Sequence, residues 1–172
     1  MVLLLIAVLL GCDSNDPTPN RVSLESAGYQ AAALSPRWSV QLSPQLLAAL
    51  ESGVSLRLVE QLQWLDAKGR VLGQEQRYLQ LSHGVLTGNY IITHPEREEL
   101  RVFPGPSALL RGLRSTGAWP VTAPPQSTRM RLRYLLDRTS LPGSLRLQAV
   151  WNQSWRVDSG WVEQPLADGV GE

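Results

Sequence analysis

Few side chains in this chain of 172 residues are placed to do chemistry. Its two histidines, His83 and His94, are the available imidazole bases. His83 stands between Ser82 and Gly84. Neighbours on a strand point to opposite faces, which disfavours a Ser82–His83 pair and leaves Thr87 or a distant carboxylate as partner. His94-Pro95-Glu96 reads as a turn closing a strand. Both histidines are expected to be surface or turn residues, and two imidazoles make a poor metal site. Glu60 is the more pointed case, because it shares a strand face with Val54, Leu56, Leu58, Leu62 and Trp64. A carboxylate there must be paired, hydrogen-bonded or protonated. An arginine or a wet strand edge would satisfy it; alternatively Glu60 and His83 line a polar pocket.

Arg129, Arg131 and Arg133 alternate with Met130, Leu132, Tyr134 and Leu136. If the apolar residues face a core, the guanidinium groups form a row at intervals of ~6.7 Å. Arg146, expected on a neighbouring strand between Leu145 and Trp151, has the parity to join them. Such a row suits carboxylates or phosphates, so it reads as a docking stripe for an acidic partner or anionic headgroups. The alternative is a solvated face whose arginines pair with cross-strand acids, each pair worth under ~1 kcal/mol. The chain contains no GxSxG, HExxH, CxxC, Walker or GxGxxG pattern, and neither a cofactor nor a metal is expected.

The lone thiol, Cys12, follows an unbroken apolar run from Val2 to Leu10. The run has the length of a signal-peptide core and falls short of the ~20 residues a spanning helix needs. Leu9-Leu10-Gly11-Cys12 resembles a bacterial lipobox, which implies residues 1–11 as a signal and Cys12 as the site of lipidation. The opening Met1-Val2 lacks the usual basic residue, so either the start lies upstream or the signal is atypical. A buried strand ending in an ordinary cysteine is the other reading. Asp13, next to the cysteine, resembles the signal that keeps enterobacterial lipoproteins in the inner membrane. The expected address is therefore the periplasmic face of that membrane. A lipidated cysteine is no nucleophile, and one cysteine makes no internal disulfide.

The formal charge is +1, which argues against general nucleic-acid binding. Basic residues are nearly all arginine, Lys68 being the sole lysine. Residues 12–21, with Pro17 and Pro19, read as an extended tether reaching up to about 28 Å. Residues 22–163 form one domain, and residues 164–172 a loose tail. Trp38–Leu42 alternates as a short strand. Ser43-Pro44 starts a helix that Gly53 ends, with Leu46, Leu47 and Leu50 on one stripe. Val54–Leu65 and Val71–Ser82 form a hairpin around Asp66-Ala67-Lys68-Gly69. Val85–Thr93, Leu100–Phe103 and Thr128–Asp137 are further strands, and a second helix near Ser107–Leu113 repeats the leucine spacing of the first. Segments 43–66 and 107–137 are two copies of one helix–strand unit on one reading, and two unrelated amphipathic helices on the other. The sum is an α+β domain, mainly antiparallel, with a curved sheet or sandwich and two short helices.

Arg77, Leu81, Leu86, Thr87 and Tyr90, the Ser107–Leu113 helix, Arg131–Asp137, Leu141-Pro142 and the Trp151/Trp155 segment together resemble proteobacterial domain-of-unknown-function family 4390. The stretch from Ser43 to Leu56 adds to the likeness, which covers about residues 36–163. His83 departs from it, since the family usually carries an aromatic there. The resemblance implies no reaction. It does imply a possible partner, because genes of this family often lie beside a membrane sensor histidine kinase. Three functions follow as expectations: a non-enzymatic, anchored periplasmic factor that binds an envelope protein; a binder of lipid or another hydrophobic ligand, if the sheet encloses a cavity lined by Trp and Leu; and a hydrolase using His83.

Overall fold

Alternating apolar residues build the centre of the fold. In the computed structural model, which describes residues 19–166, Leu56–Leu65 (β3) pairs antiparallel with Val71–Gly84 (β4) around a tight turn. Gly69 takes φ +80° in that turn, a conformation that carries little cost only without a Cβ. On its other side β3 pairs with Arg129–Leu136 (β8). Asn89–His94 (β5) and Glu99–Phe103 (β6) extend the sheet beyond β4, and Val162–Pro165 (β9) extends it beyond β8. The six strands run in the order β6-β5-β4-β3-β8-β9, every pair antiparallel.

A second sheet lies against one face of the first. Arg21–Gln30 (β1) and Ala33–Gln41 (β2) form a hairpin, and Trp119–Pro120 (β7) adds a short third strand to β2. Trp38 of β2 meets Tyr134 of β8 with ring centroids 5.2 Å apart, and Tyr29 of β1 meets Trp64 of β3 at the same separation. The two sheets are not closed into a barrel. The space between them is filled by Trp38, Trp64, Tyr134 and a set of leucines, all fully buried.

Two helices complete the cover of this inner face. In Pro44–Glu51 (α1) the Ser43 hydroxyl caps the Leu46 amide, and Leu46 and Leu50 are buried. In Pro106–Leu113 (α2), Leu109 and Leu113 are buried. Gly112 lets α2 approach β6, since a Cβ there would lie 2.4 Å from the Phe103 ring. The two proposed copies of a helix–strand unit differ in connection. α1 leads directly into β3, whereas β7 stands between α2 and β8.

Four expectations are corrected. Residues Leu145–Trp151 are not a strand but most of a third helix, Gly143–Trp151 (α3). Their apolar spacing fits both periods, and Pro142 followed by backbone bonds from Leu145 and Arg146 to Pro142 decides for the helix. Val85 and Leu86 belong to the turn before β5 rather than to the strand expected from Val85, and Leu86 is fully exposed. Residues 164 and 165 belong to β9, not to a loose tail. The domain also begins earlier than Val22. Asn20 donates to the carbonyls of Ser154 and Arg156 and accepts from the Ser43 amide. The signal, Cys12, Asp13 and residues 167–172 lie outside the described residues. No helix among the described residues is long and apolar enough to cross a membrane.

Candidate functional site

Glu60 stands near the middle of β3, directly opposite Arg77 of β4 and Tyr134 of β8. Its carboxylate is fully buried and fully engaged. Oε1 accepts from the Trp38 indole at 2.6 Å and from the Thr116 hydroxyl at 2.9 Å, while Oε2 accepts from Arg77 Nε at 2.5 Å. Arg77 also donates to Thr116 Oγ1 at 2.5 Å and to the Gly117 carbonyl at 3.2 Å, and its guanidinium lies 4.9 Å from the Trp119 ring centre. The Thr116 hydroxyl thus relays between the two charges. A buried ion pair needs its other polar atoms partnered, and here each guanidinium nitrogen and each carboxylate oxygen has at least one partner. The cluster ties β2, β3, β4 and the 114–119 segment together and offers no reactive group to solvent. Beside it, the Tyr134 hydroxyl has no partner among the described residues, and burial, reinforced by Glu60, raises its pKa well above the usual phenol value.

The structure separates Glu60 from His83. His83 lies six positions beyond Arg77 on the same strand, ~20 Å along β4, so the proposed Glu60–His83 pocket does not form. The His83 ring packs on its cross-strand neighbour Tyr90 with centroids 4.8 Å apart, and Nδ1 is buried without a partner among the described residues. Tyr90 donates to Glu51 at the end of α1, and burial together with that bond pushes its hydroxyl up to about 12. His94 closes β5 as expected, yet it is buried rather than on the surface. Its Nδ1 faces Arg97 Nη2 at 3.1 Å, which makes Nδ1 the acceptor and leaves the Nε2 proton unpartnered. Burial, then the nearby Arg97 charge, pulls this imidazole down to about 4. Among the described residues no group of three His, Cys, Asp or Glu could hold a metal ion.

The other face of the six-stranded sheet is open. Register places Gln63, Gln61, Val59 and Arg57 of β3 beside Gln74, Gln76, Tyr78 and Gln80 of β4. The arginine row of β8 lies on this face, each member half-buried. Every one of the three has an intramolecular partner. Arg129 pairs with Glu163 at 2.5 Å, and Arg133 makes two bonds to Asp158, at 2.8 and 2.5 Å. Arg131 donates to Gln63 at 2.7 Å and stacks 4.9 Å from the Trp161 ring centre. The Asp158 carboxyl is accordingly held below the usual carboxylate range, chiefly by its bond to Arg133. Arg146 does not join the row. It sits on α3, where its Nε donates to the Leu141 carbonyl at 2.8 Å, so the predicted fourth member is absent.

At its two ends this sheet differs. Edge strand β9 carries Glu163 and Pro165, and proline cannot donate to a further strand. Edge strand β6 carries Leu100 and Val102, both more than half exposed and both on the open face beside Thr93 and Ile91. This edge was not legible as a site in the sequence. Leu100-Arg101-Val102-Phe103 alternates like any half-buried strand, and only the strand order shows that β6 has one neighbour.

No curated protein and no solved structure matches the chain. The family model described as Domain of unknown function (DUF4390) matches residues 20–165, a span running from the Asn20 clamp to the end of β9, and the chain therefore belongs to that family.

Proposed function

We propose that this chain is a lipid-anchored periplasmic accessory protein, without a reaction of its own, that holds an extended segment of another envelope protein against β6. The carrying observation is the unblunted edge. Among the described residues Glu99–Phe103 is hydrogen-bonded to a strand on one side only, and its outward residues on the open face are Leu100 and Val102. A strand added there would gain backbone hydrogen bonds, with affinity set by the ladder and selectivity by alternate side chains. Arg101 leaves the edge clear, since its side chain is tied back to the Ser115 carbonyl. Glu60 and Arg77 are committed to each other, His94 is buried against Arg97, and His83 packs on Tyr90. The filled interior likewise lends little to a hydrophobic-ligand carrier. A membrane sensor kinase is the first candidate partner, on the family likeness alone.

A photo-crosslinking residue at Val102 in the full chain, expressed in cells, tests the edge. The expected result is a discrete adduct that disappears with Leu100→Arg and is absent when the crosslinker stands at Glu163 on β9. Equal adducts from both edges would overturn the reading. The anchor is tested separately: Cys12→Ala abolishes palmitate labelling if Cys12 carries the lipid. Asp13→Ser shifts part of the protein toward the outer membrane if Asp13 is the sorting signal.

A further inference from the structure

Helix α3 presents apolar side chains on two opposite sides. Leu145 and Ala149 turn inward, whereas Leu147, Val150 and Trp151, at i, i+3 and i+4, are 71%, 63% and 86% exposed. One stripe is therefore left without cover among the described residues. Grooves flank Trp151 on both sides. One, of about 760 Å³, is lined by Leu147, Gln148, Trp151 and Pro19; the other, of about 540 Å³, brings Val150 and Trp151 together with Arg138 and Arg156.

Pro19 is the first described residue, so the chain leads toward Cys12 from the rim of this patch. Asn20 fixes that point, because its bonds to the carbonyls of Ser154 and Arg156 pin it to the segment following α3. Six residues separate Cys12 from Pro19, and fully extended the stretch from Cys12 to Pro19 spans at most ~25 Å. Charge agrees with position. Arg138, Arg146 and Arg156 are exposed, and no acidic residue occurs between Asp137 and Asp158. A tryptophan flanked by leucine, valine and arginines suits the boundary between headgroups and acyl chains.

We infer that α3 is a membrane foot: Leu147, Val150 and Trp151 enter the interface of an anionic phospholipid bilayer, and Arg146 and Arg156 engage its headgroups. The inference rests on the anchor reading, which supplies the bilayer. It also orients the domain, since an apolar second contact turns a single tether into a fixed stance. Because basic residues near an anionic surface each contribute about 1 kcal/mol, each Arg→Gln change at 146 or 156 lowers the inserted-to-free ratio about fivefold.

The test uses the full chain purified with its lipid, carrying Leu147→Cys labelled with an environment-sensitive fluorophore, in vesicles of phosphatidylethanolamine and phosphatidylglycerol. A second preparation carries the label at Leu86→Cys in the turn before β5. The expected result is a blue shift and quenching by headgroup-borne nitroxides at 147, an aqueous signal at 86, and loss of the shift at 147 when phosphatidylcholine replaces phosphatidylglycerol. An aqueous signal at 147 on acylated protein overturns the foot and leaves the anchor standing. A blue-shifted signal before vesicles are added shows that a segment of the chain itself fills the groove, which also overturns it. The mass of the N-terminal peptide reports acylation directly, so an unmodified Cys12 sinks the anchor reading and is recognised as that failure.

Discussion

The three α-helices among the described residues each carry an apolar stripe, and the stripes meet different fates. In α1 and α2 the stripe disappears under the six-stranded sheet: Leu46, Leu50, Leu109 and Leu113 are fully buried. In α3 the matching stripe of Leu147, Val150 and Trp151 points outward, and the helix is held by Leu145, Ala149 and the bond from Arg138 to the Ala149 carbonyl. Amphipathic spacing says that a helix face seeks cover. It does not say whether that cover is the same chain, another protein or a lipid surface. Burial energy separates the cases, because a side chain already at a water boundary contributes little to folding.

The largest effect should fall in the core that covers α1 and α2. Arg77→Ala leaves the Glu60 carboxylate buried with one charge unpaired and should cost about 3–5 kcal/mol; urea unfolding monitored by tryptophan fluorescence measures it. The double change Glu60→Leu with Arg77→Met should recover much of that loss, and a failure to recover would mean that the Trp38 and Thr116 bonds matter more than the charge pair.

Leu50→Ala or Leu113→Ala should cost about 2–5 kcal/mol, the range for a leucine cut out of a packed core. A cost under ~1 kcal/mol at both would show that the helices are loosely docked and would erase the contrast with α3.

The acid side of the stability curve tests His94. Its folded pKa lies at about 4, below the ordinary imidazole value of 6.5. Between those values the unfolded chain binds the proton and the folded one does not, so stability falls as pH drops through that window. Below about 4 both states are protonated and this contribution is spent. His94→Asn should flatten the slope between about pH 6.5 and 4, measured as the urea midpoint against pH, with an unchanged slope assigning the acid limb to other groups.

The smallest effect is expected at α3. Leu147→Ser and Trp151→Ser should change stability by no more than ~0.5 kcal/mol in detergent-free solution, as for surface positions without partners. A loss of 2 kcal/mol or more would place these side chains in a contact within the chain.

Local and periodic features are legible in the amino-acid pattern. The alternation from Leu56 to Leu65 and from Arg129 to Leu136, the Asp66–Gly69 turn, and the Ser43-Pro44 start of α1 are set by neighbours along the chain, and each stands where its spacing puts it. The need of Glu60 for a partner was equally legible, because burying a carboxylate alone is prohibitive. Tertiary structure decided the rest. The β1–β2 hairpin escaped the sequence reading because Ala31 and Ala32 occupy its turn at φ 50° and 55°, positions where glycine or asparagine would have signalled it. Leu145–Trp151 satisfies both the helical and the strand period, and only its neighbours choose between them. Which arginine meets Glu60, and that Thr116 bridges the pair from 56 residues away, follow from sheet register and chain return. Those are properties of the folded whole, since residues distant in sequence enter a local pattern only once the chain has brought them together.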